Sequence, residues 1–229
     1  MLTLAFDTSS RPLAVALLNN DAVVYDTVLN TGLNHSETLL PAIDQACKYM
    51  KMKIDDVDLF SCTLGPGSFT GLRVGVSTMK GLLMATEKPG TGVSALAALA
   101  LNIKHDKALI CPVMDASRGQ VYIAGYKYNA DGSLQQVYPE RIVNPAAIMP
   151  EDWRETIFVG DGAVKYRDVL TEKFGSTALA SGLHQYVRAS AVGILGREKY
   201  MRNELLDPAS FVPFYLRAAE AKPGKKLFE

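Results

Sequence analysis

Short apolar runs open the chain at residues 2–7 and 13–18, the pattern of two strands. The Asn19-Asn20-Asp21 turn joins the second run to a third at residues 23–28, which predicts a meander of three strands. The period then changes. Across residues 35–50, Leu39, Ile43, Ala46, Cys47 and Met50 recur at helical spacing, and Pro41 falls close enough to the start to be tolerated. A strand at 59–64, a helix at 69–85, a short strand at 90–93 and an Ala/Leu-rich helix at 94–102 complete the order βββαβαβα.

The order starts again with strands at 108–114, 120–128 and 134–143, followed by an αβαβα-like remainder. Two matched details point to a duplication. Asp7-Thr8-Ser9-Ser10-Arg11 closes the first strand of one half, and Asp115-Ala116-Ser117-Arg118 closes that of the other. Leu64-Gly65-Pro66-Gly67-Ser68 links a strand to a helix in the first half, as Val159-Gly160-Asp161-Gly162-Ala163 does in the second. The expectation is an α/β protein of two lobes, residues 1–105 and 106–217, with helix 188–202 packing back on the first lobe and residues 218–229 forming a mobile tail. Two lobes of duplicated βββαβαβα order resemble the actin, hexokinase and Hsp70 (ASKHA) superfamily.

Composition narrows the partners. With 229 residues, 48% of them hydrophobic, the chain can bury a full core. Lys plus Arg equals Asp plus Glu at 24 each, so no whole-chain field favours nucleic acid or an anionic membrane; an RNA contact needs a local patch or a partner. Cys47, Cys62 and Cys111 sit singly in apolar stretches, which reads as buried thiols in a reducing compartment. The N-terminus lacks a basic region and no apolar run approaches 18 residues, so the expected location is cytoplasmic, with no membrane partner.

Three segments carry the candidate chemistry. The turns after Asp7 and Asp115 are where a superfamily member would wrap nucleotide phosphates, which makes Asp7, Thr8, Ser9 and Asp115 the candidate nucleotide residues. The first turn has no Gly and Pro12 removes a donor, so two plain hairpin turns with Asx-type hydrogen bonds are the competing reading. In the third segment, Gly65 and Gly67 bracket Pro66 ahead of Ser68, a plausible N-cap. The helix behind it shows Phe69, Leu72, Val76 and Met79 on one face, beside Gly71 and Gly75. Each helical Gly costs about 1 kcal/mol relative to Ala, so close approach to another helix would account for the pair. This helix and the face bearing Leu39, Ile43 and Cys47 are therefore candidate partner-binding surfaces, able to form a four-helix interface between two chains, against the alternative that they pack on their own sheet. Residues 65–71 lack the Gly-Lys-Ser/Thr ending of a P-loop, although a helix N-terminus still attracts anions. No Gly-x-Ser-x-Gly elbow and no electropositive cysteine supports a hydrolytic nucleophile, and no catalytic residue is assigned.

At Gly65-Pro66-Gly67-Ser68-Phe69-Thr70-Gly71-Leu72-Arg73 the chain resembles the TsaB (YeaZ) family, with supporting matches at Asp7-Thr8-Ser9, His35-Ser36, residues 115–122, Gly160-Asp161-Gly162-Ala163 and Pro213-Phe214-Tyr215-Leu216-Arg217. The resemblance implies a non-catalytic subunit for threonylcarbamoyl transfer to the adenosine beside the tRNA anticodon. It further implies a heterodimer with the catalytic paralogue TsaD, recruitment of the ATPase TsaE, a homodimer when alone, and ATP and metal supplied only through the partners. TsaD carries a His-x-x-x-His metal pair on the helix corresponding to residues 94–102, where this chain reads Ser94-Ala95-Leu96-Ala97-Ala98-Leu99. Its three histidines, His35, His105 and His184, share no ligand spacing, so no metal site is expected. A self-sufficient ATP-dependent kinase or ATPase, and a metallopeptidase-like protease acting on the paralogue, are the competing functions.

Overall fold

A computed structural model describes residues 1–148 and 155–217. The predicted tail at 218–229, with Lys222, Lys225 and Lys226, lies outside the described residues. The first lobe runs β1 (Leu2–Asp7), β2 (Leu13–Asn19), β3 (Ala22–Leu29), α1 (His35–Tyr49), β4 (Leu59–Gly65), α2 (Phe69–Thr86), β5 (Gly90–Ser94) and α3 (Ala95–Ala100). Its sheet has the order β3-β2-β1-β4-β5, antiparallel within the meander and parallel across β1, β4 and β5. The second lobe adds β6 (Leu109–Asp115), β7 (Val121–Tyr128), β8 (Leu134–Val143), β9 (Thr156–Val159), α4 (Asp161–Lys165), α5 (Arg167–Phe174) and α6 (Ala189–Met201). Its sheet, β8-β7-β6-β9, repeats the first order with one strand fewer.

The duplication therefore holds, and the second copy is shortened. Between β8 and β9 the described residues form only a 3-10 turn at Pro145–Ala147 where the repeat called for a helix. The fifth strand shrinks to a single parallel bridge between Phe158 and Leu179, kept by the Ala180 N–H donating to the Phe158 carbonyl at 2.9 Å.

Residue size on the two faces of the first sheet decides what covers it. Leu4, Phe6, Leu13, Val15 and Leu17 face α1 and α2 in one core. Ala5, Ala14 and Ala16 face the other way, where α6 lies. Small residues on both sides let that helix come close: a Cβ on Gly193 would stand 2.4 Å from Leu18, and one on Gly196 would stand 2.1 Å from the Ser61 hydroxyl. The Ser61 hydroxyl donates to the Val192 carbonyl, and Arg188 and Ser190 at the helix start bind Asp26 of β3. The third core, around Phe158, Ile123 and Leu170, belongs to the second lobe alone. Among the described residues no helix is long and apolar enough to cross a membrane.

Candidate functional site

The two Asp-bearing turns end side by side at a cleft between the lobes, but only one keeps its carboxylate there. Asp7 is fully buried at the end of β1. Its carboxylate accepts from the Ser9 N–H at 3.0 Å and from the Thr63 hydroxyl at 2.5 Å, with the Ser10 hydroxyl at 3.4 Å. Burial raises its pKa above the ordinary carboxylate range, and those donors pull it back only in part. Thr8 and Ser9 are as buried as Asp7. Of the four candidate nucleotide residues, Ser9 and Asp115 line the cleft, whereas Asp7 and Thr8 lie beneath its wall.

The glycines of the 65–75 segment are what seal that turn. Ser68 caps α2 as its position predicts, accepting from the Gly71 N–H at 3.2 Å, and Gly65 takes φ +134° in the turn before it. A Cβ on Gly67 would stand 2.2 Å from the Ser9 carbonyl, one on Gly71 would stand 2.1 Å from the Thr8 carbonyl, and one on Gly75 would stand 2.3 Å from the Thr8 hydroxyl. No side chain fits at those separations, so the spacing of four presses a helix backbone against the lobe's own turn.

This corrects the partner-binding expectation for most of its residues. Leu39, Ile43, Cys47, Val76 and Met79 are buried in the core over β1 and β2, Leu72 is fully buried beside the Gly65 turn, and Gly71 and Gly75 are covered by Thr8. An apolar row at helical period shows that a face is buried, not which neighbour buries it. Phe69 alone stays exposed, at 38%, its ring tilted against that of Tyr215 at 4.9 Å between centroids and Arg73 over its face. The solvent side of the helix pair carries other residues: Leu40 and Pro41 on α1, and Arg73, Ser77, Gly81 and Met84 on α2, with Leu40 57% and Met84 73% exposed. Gly81 meets nothing within 4 Å of a Cβ, so the lobe's own packing gives no reason for glycine there.

The second turn is built differently. Asp115 pairs with Lys165 at 2.7 Å and accepts from the Ser117 N–H, so it too is engaged. Ser117 and Arg118 both hold positive φ, 60° and 54°, a conformation that costs of order 1 kcal/mol or more for each non-glycine residue. Behind them Asp161 accepts from the Asp115 and Gly162 N–H groups, and burial raises its pKa. Residues 206–217 then run from the edge of the first sheet to this turn. The Leu206 N–H donates to the Gly90 carbonyl, the Phe214 N–H to the Leu64 carbonyl at 2.7 Å, and Arg217 to the Ala116 carbonyl and Gln120. Sequence reasoning missed Arg11, Arg118, Tyr215 and Arg217 as cleft residues. The available signal was that both matched Asp turns end in an arginine.

Among the described residues no group of three or more His, Cys, Asp or Glu side chains is placed to hold a metal. The α3 helix is capped by the Ser94 hydroxyl, which accepts from the Leu96 and Ala97 N–H groups.

A family model described as "TsaD: tRNA N6-adenosine threonylcarbamoyltransferase" matches residues 30–225. The "tRNA threonylcarbamoyladenosine biosynthesis protein TsaB" of Bacillus subtilis (strain 168) is 35% identical over 226 residues, covering 97% of this chain and 96% of its own. The chain belongs to the TsaB (YeaZ) family. Its structure is similar to that of YeaZ from Pseudomonas aeruginosa, with a TM-score of 0.78 at 25% identity over 94% of this chain and 99% of that one. A shorter match, 33% over 112 residues, reaches the "tRNA N6-adenosine threonylcarbamoyltransferase" of Kosmotoga olearia, covering 42% of this chain and 34% of that protein. The two-lobed actin-like fold expected of a TsaB-family chain is the fold observed.

Proposed function

We propose that this chain acts in the biosynthesis of threonylcarbamoyladenosine in tRNA as a non-catalytic subunit, holding a TsaD-type transferase in its working form and helping to recruit a TsaE-type ATPase and tRNA. Membership of the TsaB family supports the pathway. The observation that carries the scaffold role is the solvent side of α1 and α2, where Leu40 and Met84 stand exposed and Gly81 sits in a helix with open space around it. A glycine costing about 1 kcal/mol in an exposed helix is accounted for if a partner helix lies against its backbone. Homodimerisation through the same face would compete with the transferase for it, and ATP and metal enter the reaction through the partners. A self-sufficient ATPase is less well supported, because Asp7 and Asp115 are both engaged by groups of this chain. A protease finds no nucleophile in the buried thiols, and burial pushes those of Cys62 and Cys111 well above the ordinary range.

The chain incubated alone with tRNA and threonylcarbamoyl-adenylate should transfer nothing, and adding the transferase and ATPase should restore transfer. Gly81→Leu and Met84→Asp should remove the complex from size-exclusion with light scattering without lowering the melting temperature of the free chain, which Gly81→Leu should raise slightly by removing the cost of the helical glycine. A complex that survives both would exclude this face, and transfer by the isolated chain would end the scaffold reading.

A further inference from the structure

The Pro213-Phe214-Tyr215-Leu216-Arg217 motif belongs to no helix or strand; it ends the segment that crosses from one lobe to the other. That segment is fastened to the first lobe at three points. The Leu206 N–H donates to the Gly90 carbonyl at 2.8 Å, Phe211 is buried in the core over β1 and β2, and the Phe214 N–H donates to the Leu64 carbonyl at 2.7 Å. A Cβ on Gly65 would stand 2.3 Å from the Phe214 carbonyl, so the glycine lets the segment lie directly on the turn before α2. Beyond it the chain reaches the second lobe. The half-buried Arg217 donates through Nη1 to the Ala116 carbonyl at 2.8 Å and through Nη2 to the side-chain oxygen of Gln120. Guanidinium donors form a rigid planar fork, so two acceptors on one turn fix its direction as well as its distance.

The lobes are also tied at the other end of β6. There the linker 101–108 enters the strand, and the Asn102 amide donates to the His184 and Tyr186 carbonyls at 3.0 and 2.7 Å. Between the two ends, the Ser94 hydroxyl donates to Glu140 of β8, and one core runs through both lobes from Ala5 and Ala16 past Leu99 to Met114 and Val159. With seven residues, β6 sets the linker about 20 Å from the turn that Arg217 grips. A second lobe pivoting on the linker by about 15° would carry that turn about 5 Å, farther than its two hydrogen bonds can stretch. We propose that residues 206–217 are a lock that holds the two lobes at one separation, with Arg217 as its closing contact, so that the cleft keeps a fixed width. The inference concerns the geometry of the lobes and does not depend on the scaffold reading.

Distances between spin labels on the full chain test it. Asn30→Cys in the first lobe and Glu172→Cys in the second place both labels at exposed positions, while Cys47, Cys62 and Cys111 are buried. With the lock intact, pulsed electron-spin measurements should give one narrow distance distribution. Arg217→Ala should shift its mean by several Å and broaden it about twofold. Arg217→Lys keeps the charge without the fork and should recover only part of the narrow distribution. Gln120→Ala removes one of the two acceptors and should broaden the distribution less than Arg217→Ala does. A circular dichroism spectrum equal to that of the parent chain shows that each variant is folded; if Arg217→Ala is not, Gln120→Ala decides the question. A broad or two-peaked distribution with the lock intact would overturn the proposal, and so would a width that neither alanine substitution changes.

Discussion

The turns after Asp7 and Asp115 occupy the same place in the two lobes, yet one has become part of a core while the other remains the wall of a cleft. Around Asp7, a hydroxyl and a backbone N–H satisfy the carboxylate, and three glycines spaced four apart bring a helix down on the turn. Around Asp115, a half-exposed lysine supplies the counter-charge, and Gly119 has open space where a Cβ would go. Duplicated position does not preserve duplicated role. What the neighbouring helix can approach decides whether an aspartate is structural or available.

The sharpest test of the contrast is Gly75→Leu. A side chain there must displace Thr8, and we expect a loss of about 3 kcal/mol or more in urea unfolding. Wild-type stability would show that α2 does not rest on this turn. Next comes Asp7→Ala, which leaves the buried Ser9 N–H and Thr63 hydroxyl without their acceptor and should cost about 2–3 kcal/mol. Asp115→Ala should cost distinctly less, because Lys165 is left solvated; equal losses would erase the distinction between the turns.

Titration separates them further. With Asp7 and Asp161 raised by burial, the native state keeps protons that the unfolded chain has released. Their contribution is therefore fully favourable below the ordinary carboxylate range and is lost as pH rises through the raised native values. Asp7→Asn should flatten part of that decline in a series of melting temperatures against pH, and an unaltered slope would place the titration elsewhere. The smallest effect is expected at Gly119, where φ is +74° and space is open: Gly119→Ala should cost about 1 kcal/mol, from backbone strain alone.

Much of the fold was legible along the chain. The three-strand meander, the helical period around Leu39 and Ile43, the Ser68 cap and the matched Asp and Gly turns all correspond to observed elements. The second repeat was over-read: among the described residues a 3-10 turn stands where its first helix was expected, and its fifth strand is reduced to the Phe158–Leu179 bridge, with no gap in the apolar pattern to announce either. The apolar rows of α1 and α2 were read as a candidate interface, whereas they lie in the lobe's own core.

The sequence by itself determined the elements, their order, the duplication and the family, because each rests on local period, turn chemistry or a contiguous motif. Only the tertiary structure decided the rest: that Gly71 and Gly75 serve the lobe's own turn while Gly81 faces solvent, and that Arg11, Arg118 and Arg217 meet at one cavity. The physical reason is that a helical period fixes which residues share a face, whereas what that face touches depends on distances between segments far apart in the chain.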